Sequence, residues 1–180
     1  MDGPTIDIMD NWEMFPQGAS VLDVGCGEGR NAIFLAQKGF IVDAFDISWT
    51  GLEKARKIAA AKETSVNFFR EDLARFDFKK HYDIILCHGA LHMCNKTVCN
   101  QFIERAQRHT ASGGFHIFDV FTNRLPAAPD MAILTKSLFD VGELPMLYGG
   151  WELVYHREGI IEDKHQLRAC ERIIAKKIDI

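Results

Sequence analysis

Three glycines at alternate positions are the first feature of the sequence that points to chemistry. Residues 21–31 read VLDVGCGEGRN, so Gly25, Gly27 and Gly29 fall within five positions. Glycine is costly to order and is used where a turn is tight or a ligand approaches the backbone. The stretch leads into a helix-like pattern, and a helix N-terminus offers unpaired N–H groups and partial positive charge. We therefore predict a loop that receives a flat, anionic ligand; a strand-to-helix turn without a ligand is the alternative.

The spacing of this loop differs from that of a dinucleotide-binding loop. The dinucleotide pattern is G-x-G-x-x-G, whereas this chain has G-C-G-E-G, with Arg30 where the third glycine would stand. The difference disfavours an NAD-linked oxidoreductase.

Acidic residues follow the next two predicted strands. Asp46 ends the second one, 21 residues after Gly25, where a carboxylate can accept both ribose hydroxyls of an adenosine nucleoside. Asp72 follows the third strand, within reach of the exocyclic amine of an adenine ring. Each acid by itself is typical of a cap or a solvated turn. Together with the glycine loop, at the ends of successive strands, they predict a nucleoside site.

Apolar, β-rich runs alternate with helical patterns along the chain. We predict strands at 20–25, 40–45, 66–69, 82–87, 115–121, 151–156 and 169–178, and helices at 28–38, 49–62 and 97–109. Gly39 stops the first helix, Ser48 caps the second, and Gly113 with Gly114 turns the chain into the fifth strand. The polar stretch Glu158–Gln166 is interpreted as the connection between the last two strands.

These elements predict an α/β fold. Continuous apolar strands separated by helices indicate a parallel sheet covered on both faces. The last two strands are too close in sequence for a crossover helix, so they form an antiparallel pair. The expected architecture is a Rossmann-like, doubly wound, seven-stranded sheet with ligands outside the carboxyl ends of its strands.

Composition narrows the function classes. The chain has 180 residues, 47% hydrophobic and 26% charged, which is typical of one soluble domain spanning residues 1–180. A net charge of −4 argues against a nucleic-acid partner. No apolar run is long enough to cross a membrane, and residues 1–20 lack the features of a signal peptide. Five irregularly spaced cysteines are typical of reduced thiols, so we expect a cytoplasmic protein.

At these residues the sequence resembles the class I S-adenosylmethionine (SAM)-dependent methyltransferases. VLDVGCGEG matches their first motif, and EDL and YDIILCHGALH match the segments at the third and fourth strands. Within that superfamily the chain is most similar to the tellurite-resistance methyltransferases. The shared stretches are LDVGCGEGRNAIFLAQKGFIVDAFD and LFDVGELPMLYGGWELVYHRE, and the likeness runs from about Gly18 to Lys177.

The resemblance implies SAM as cofactor, S-adenosylhomocysteine as product and no metal. It places the amino-acid end of SAM at Gly25, Gly27, Gly29 and Arg30, whose guanidinium pairs with the carboxylate; a solvated Arg30 is the alternative. Asp23, charged inside an apolar strand, orders the loop or faces the ammonium group. The remaining contacts implied are the ribose on Asp46, the adenine between Ile47 and Leu73 with Asp72 at its edge, and His88 beside the cofactor.

The resemblance further implies a small-molecule acceptor, either a metalloid oxyanion or a thiol. Histidine titrates near neutral pH, so His88 is the first candidate for the base and His165 the second. Other residues expected on the acceptor side are His92, Asp119, Phe121, Tyr148 and Trp151. In the N-terminal segment, residues 1–17, Trp12, Met14 and Phe15 are expected to form a lid over SAM or to anchor the chain.

Three properties have more than one interpretation from the sequence. Cys87, Cys94 and Cys99 lie near the expected acceptor side, where thiolates bind soft metalloids, but their spacing favours buried structural thiols. A non-catalytic SAM- or nucleoside-binding module and a methyltransferase acting on a protein are the alternative functions. Monomer and homodimer are both compatible with the sequence.

Overall fold

A computed structural model describes residues 5–163 and 165–178. In this part of the chain the helices are α1 (Ile6–Asn11), α2 (Arg30–Gln37), α3 (Trp49–Ala61), α4 (Lys96–Arg108) and α5 (Glu143–Met146). The strands are β1 (Ser20–Val24), β2 (Ile41–Asp46), β3 (Asn67–Arg70), β4 (Tyr82–His88), β5 (Thr110–Phe121), β6 (Trp151–Asp163) and β7 (Gln166–Lys177). Short 3-10 turns cover Trp12–Met14 and Leu91–Met93.

The strands form one seven-stranded sheet in the order β3-β2-β1-β4-β5-β7-β6. Strands β1 to β5 are parallel, and β7 runs antiparallel to both of its neighbours, β5 and β6. The predicted α/β fold with a mostly parallel sheet and an antiparallel C-terminal pair is confirmed.

Successive residues of a strand point to opposite faces of the sheet, and the strands here are apolar on both faces. Helices therefore cover both faces. Val21 packs on one face with Ile33 of α2 and residues of α3, whereas Leu22 packs on the other face with Phe102 of α4. The predicted double winding is therefore confirmed. Among the described residues no helix is both long and apolar enough to span a membrane.

Local signals at two helix ends are also confirmed. The side chain of Ser48 accepts a hydrogen bond from the backbone N–H of Gly51 at the start of α3 (3.1 Å). Gly39 follows α2 with a φ of +92°, the left-handed conformation that suits a helix stop.

Two sequence-based boundaries were wrong. The stretch Glu158–Gln166 is not a separate connection, because β6 continues to Asp163 and β7 begins at Gln166. An antiparallel pair tolerates polar side chains on its water-facing side, so polarity alone did not mark a loop. Likewise, Gly114 lies inside β5, where a Cβ would come within 2.6 Å of the carbonyl oxygen of Asp83. The register of β4 and β5 shifts at this point, as in a bulge.

Candidate active site

The glycine loop connects β1 to α2 at the carboxyl edge of the sheet. Gly25, Gly27 and Gly29 all have positive φ, at +69°, +56° and +77°. A Cβ at Gly25 would lie only 2.4 Å from the Cβ of Ala90, which follows β4. Position 27 is different, since a Cβ there would meet no atom within 4 Å. The loop thus packs tightly at its start and leaves its centre open.

Asp46 joins the end of β2 to this loop. Its Oδ2 accepts the backbone N–H of Gly27 at 2.8 Å, and its Oδ1 accepts the backbone N–H of Ser48 at 2.7 Å. Each carboxylate oxygen keeps acceptor capacity for a further donor. The two bonds fix the carboxylate beside the open centre of the loop, a supporting role that the sequence did not indicate.

Asp23 is a buried acid next to the loop. Its side chain is only 2% exposed, and its Oδ2 has no hydrogen-bond partner among the described residues. Burial raises the pKa of Asp23 to about 7, partly opposed by the positive charge of Arg30. An orphaned carboxylate oxygen of this kind fits an ammonium group, which would supply both the missing donor and the opposite charge.

Arg30, the first residue of α2, points toward the end of β4. Its Nη2 lies 3.5 Å from Nδ1 of His88, and no carboxylate in the described part of the chain forms an ion pair with it. The guanidinium is therefore available for an anionic group at the N-terminus of α2.

The residues expected around an adenine ring differ in exposure. Ile47 is 60% exposed, whereas Leu73 is buried in the core with Phe45. Oδ1 of Asp72 accepts the backbone N–H of Ala74 at 2.9 Å, so this acid also organises a turn. The segment that contains Asp72 lies at the same edge of the sheet as Asp46, because the carbonyl oxygen of Asp46 accepts the N–H of Glu71 at 3.2 Å.

A row of titratable and charged side chains crosses three strands beside the glycine loop. His88, Asp119 and Arg172 occupy matched register positions of β4, β5 and β7. Nε2 of His88 is 3.9 Å from Oδ2 of Asp119, and Nε of Arg172 donates to the same oxygen at 3.0 Å. Burial lowers the pKa of His88, against the opposing charge of Asp119.

Helix α1 extends this row. Oδ2 of Asp7 lies 3.1 Å from Nη1 of Arg172, and Oδ1 of Asp7 accepts the hydroxyl of Tyr155 at 2.9 Å. The backbone N–H of Thr5 donates to Oδ1 of Asn31 at 3.0 Å. Asp7 was missed by the sequence reasoning, because an acid in a short N-terminal helix carries no signal for a partner 165 positions away.

Two of the three residues considered for a lid, Trp12 and Phe15, form contacts away from the glycine loop. Phe15 is buried against Phe115 and Phe40, with ring centroids 5.1 and 6.4 Å away, at the amino ends of the strands. Nζ of Lys38 lies 4.4 Å from the ring centroid of Trp12. These contacts are those of an anchor. Among the described residues of this segment, Thr5 and Asp7 contact the surroundings of the site, and a lid stays a prediction.

Some predicted acceptor-side residues are brought together and others are not. His92 and Phe121 stack at the carboxyl edge, with ring centroids 3.9 Å apart. By contrast, Trp151 pairs with Lys177 beside the start of β5, and the Tyr148 hydroxyl contacts His116 inside the core. His165 is at the tip of the β6–β7 hairpin, 98% exposed, with Nδ1 3.8 Å from Glu162.

The cysteines are free thiols. Cys87 and Cys99 are buried and Cys94 is half-buried. Burial raises the pKa of Cys99 to about 11, so the thiol stays protonated at neutral pH. Within residues 5–163 and 165–178, no cluster of three or more His, Cys, Asp or Glu side chains is arranged to hold a metal ion.

The fold is a Rossmann-like α/β domain, with the glycine loop and Asp46 at the carboxyl edge of its sheet. The sequence matches the methyltransferase domain family over residues 21–114, more than half of its length, and the chain belongs to that family. The resemblance to class I SAM-dependent methyltransferases is thereby confirmed, and SAM is the cofactor of that class.

Several known proteins are similar to the chain. A putative methyltransferase of Geobacillus sp. (strain WCH70) is 29% identical over 123 residues, 62% of this chain and 50% of the relative. The probable S-adenosyl-L-methionine-dependent methyltransferase TehB of Haemophilus influenzae (strain 10810) is 24% identical over 144 residues, 79% of this chain and 49% of the relative. The chain spans about half the length of these curated relatives.

The fold is also seen in a solved structure. The crystal structure of TehB from Haemophilus influenzae superimposes with a TM-score of 0.86 and 20% identity, covering 95% of this chain and 61% of that one. The part of this chain that superimposes is therefore longer than the matched family segment, residues 21–114.

Proposed function

We propose that the chain transfers a methyl group from SAM to a small-molecule acceptor, of the metalloid oxyanion or thiol class. The observation that carries the proposal is the pairing of an open, side-chain-free loop at Gly27 with the fixed carboxylate of Asp46. When bound, SAM supplies a methyl group on a sulfonium, already activated for displacement.

Different residues of the chain bind different parts of SAM in this proposal. Asp46 accepts the ribose hydroxyls with the acceptor capacity that its two backbone bonds leave. Arg30 pairs with the carboxylate of the amino-acid end, and Asp23 receives the ammonium group on its orphaned oxygen. Ile47, Leu73 and Asp72 border the adenine. Each assignment is supported by the position of the residue at the carboxyl edge of the sheet.

His88 is the proposed base. Burial keeps the pKa of its imidazole below the ordinary value, so the ring is neutral and able to accept a proton at pH 7. Asp119, 3.9 Å away, stabilises the imidazolium that forms, while Arg172 holds Asp119 in place at 3.0 Å. Among the described residues His165 has no such arrangement around it, and we assign it no role in the reaction.

Two alternatives make different predictions. A regulatory SAM-binding module would bind SAM and form no S-adenosylhomocysteine with any small acceptor. A protein methyltransferase would label a protein and leave small acceptors untouched. No nucleic-acid partner is proposed. A cytoplasmic location agrees with the free thiols of all five cysteines.

The test is turnover. Purified chain is incubated with SAM and a panel of acceptors, namely tellurite, selenite, arsenite and small thiols, and S-adenosylhomocysteine is quantified. We expect formation that depends on one acceptor class and is reduced in His88→Ala. Absence of product with every small acceptor, in a protein that binds SAM, would contradict the proposal.

A further inference from the structure

Two buried histidines of this fold stack on phenylalanines yet differ in what their ring nitrogens contact. His92 is 1% exposed and lies 3.9 Å from the ring centroid of Phe121. His116 is fully buried and lies 4.6 Å from that of Phe118. The stacking and the burial are comparable, so the two rings form a natural comparison.

The nitrogens of His116 are both satisfied. Nε2 contacts the hydroxyl of Thr110 at 2.7 Å, and Nδ1 contacts the hydroxyl of Tyr148 at 2.8 Å. Neither Nδ1 nor Nε2 of His92 has a hydrogen-bond partner in the described part of the chain. A neutral imidazole carries one donor and one acceptor, and folded proteins rarely leave either buried without a partner. The unpaired ring nitrogens therefore indicate that a ligand binds at His92.

The location of His92 supports a ligand at the reacting end of the site. It lies in the turn that follows β4, two residues after Ala90, which packs against the position of Gly25 in the glycine loop. Phe121 is the last residue of β5. Thr122, the next residue, is buried and has a hydroxyl with no partner among the described residues. Two unsatisfied polar groups therefore occupy the carboxyl ends of adjacent strands.

The two arginines near this position are paired with acids, and Arg30 is assigned to the carboxylate of SAM. Nη2 of Arg168 donates to Asp130 at 2.6 Å, and Arg172 lies between Asp119 and Asp7. Burial lowers the pKa of His92 to about 4, with smaller effects from Asp119, Arg168 and His88, so the ring is uncharged at pH 7. An oxyanion would require an unmatched cation here, whereas a neutral protic group requires one donor and one acceptor.

We propose that His92 and Thr122 bind the methyl acceptor, and that the acceptor is an uncharged small molecule bearing a thiol. The inference rests on the proposed function and narrows its substrate class. The acceptor sulfur bonds to the methyl carbon as the carbon–sulfonium bond breaks, with that electron pair going to the sulfonium sulfur. His88 takes up the S–H proton that the acceptor loses and later releases it to water.

The test uses His92→Phe, which keeps an aromatic ring on Phe121 and removes both nitrogens. We expect the melting temperature of the free protein to rise, because two unsatisfied buried groups are gone. The kcat/KM for a thiol such as 2-mercaptoethanol or thiophenol should fall by roughly 100-fold, as expected for two lost hydrogen bonds. The Kd for SAM should not change.

His116→Phe is the matched control. It removes the partner of the Tyr148 hydroxyl and one of the two partners of the Thr110 hydroxyl, so its melting temperature should fall while kcat/KM of the folded protein stays the same. His92→Gln, which keeps one donor and one acceptor, should retain most of the rate. An unchanged kcat/KM in His92→Phe would overturn the assignment of His92.

A comparison of methylation rates between acceptors tests the thiol assignment separately. Faster methylation of tellurite or selenite than of the thiols would overturn the thiol assignment while leaving the proposed methyl transfer intact. A protein that fails to bind SAM would overturn the proposed function and this inference together.

Discussion

Replacement of Asp46 by alanine probes the cofactor site at its best-defined contact. The carboxylate accepts the N–H groups of Gly27 and Ser48, at 2.8 and 2.7 Å, and in the proposed complex it also accepts two ribose hydroxyls. Asp46→Ala removes all four bonds. The two backbone donors lie at partly exposed positions and can turn to water, so we expect a loss of only about 1 kcal/mol in unfolding free energy.

The effect on SAM affinity should be larger. A hydrogen bond to a charged group contributes about 1.5–3 kcal/mol, and two bonds to one carboxylate are not fully additive. We therefore expect a loss on the order of 2–4 kcal/mol, which corresponds to a Kd raised roughly 30- to 700-fold.

Isothermal titration calorimetry with SAM measures this change directly. The control is Asp43→Asn, which removes a charge from the same strand at a site occupied by Asn67, Lys80 and Tyr82. It should leave the Kd unchanged. An Asp46→Ala protein that remains folded and binds SAM as tightly as the parent chain would refute the placement of the ribose.

Three other predictions follow from the same geometry. Gly25→Ala should lower the melting temperature more than Gly27→Ala, because its Cβ would lie 2.4 Å from Ala90 whereas position 27 is open; thermal unfolding of both variants checks the order. The folded chain keeps a proton on Asp23 that the unfolded chain releases between about pH 4 and pH 7, so the contribution of Asp23 to the unfolding free energy should fall as pH rises through this window, by up to roughly 4 kcal/mol. Buried histidines with a lowered pKa act in the opposite direction, so the fall is measured as the difference between the parent chain and Asp23→Asn in denaturant titrations at pH 5 and pH 8. Asp119→Asn should lower kcat roughly 10- to 100-fold without changing the Kd for SAM, because it weakens the stabilisation of protonated His88; initial rates and calorimetry separate the two effects.

The sequence was sufficient for the order and type of the main elements. Strand β1, the glycine loop and α2 follow one another with an unambiguous change from an apolar run to a helical period, and Asp46 marks the end of β2. Helix ends at Ser48 and Gly39 depend on local chemistry, so they could be read from a few residues. The boundaries of β6 and β7 could not, because water-facing strand positions accept the same polar residues as loops.

The acceptor side depends on pairing that no local pattern specifies. His88, Asp119 and Arg172 share a row only because β4, β5 and β7 are in one particular register, and Asp7 reaches them from the N-terminal helix. The same holds for His92 and His116, since sequence cannot tell a histidine with two partners from one with none. The resemblance places Tyr148 and Trp151 on the acceptor side, yet Tyr148 contacts His116 inside the core and Trp151 pairs with Lys177, near the amino end of β5.

Calorimetric titration of the purified chain with SAM, and separately with NAD, tests the central claim most directly. The geometry of the glycine loop and Asp46 predicts saturable binding of SAM at one site per chain and no measurable heat with NAD. Binding of NAD in preference to SAM, or no heat with SAM from a folded protein, would contradict it.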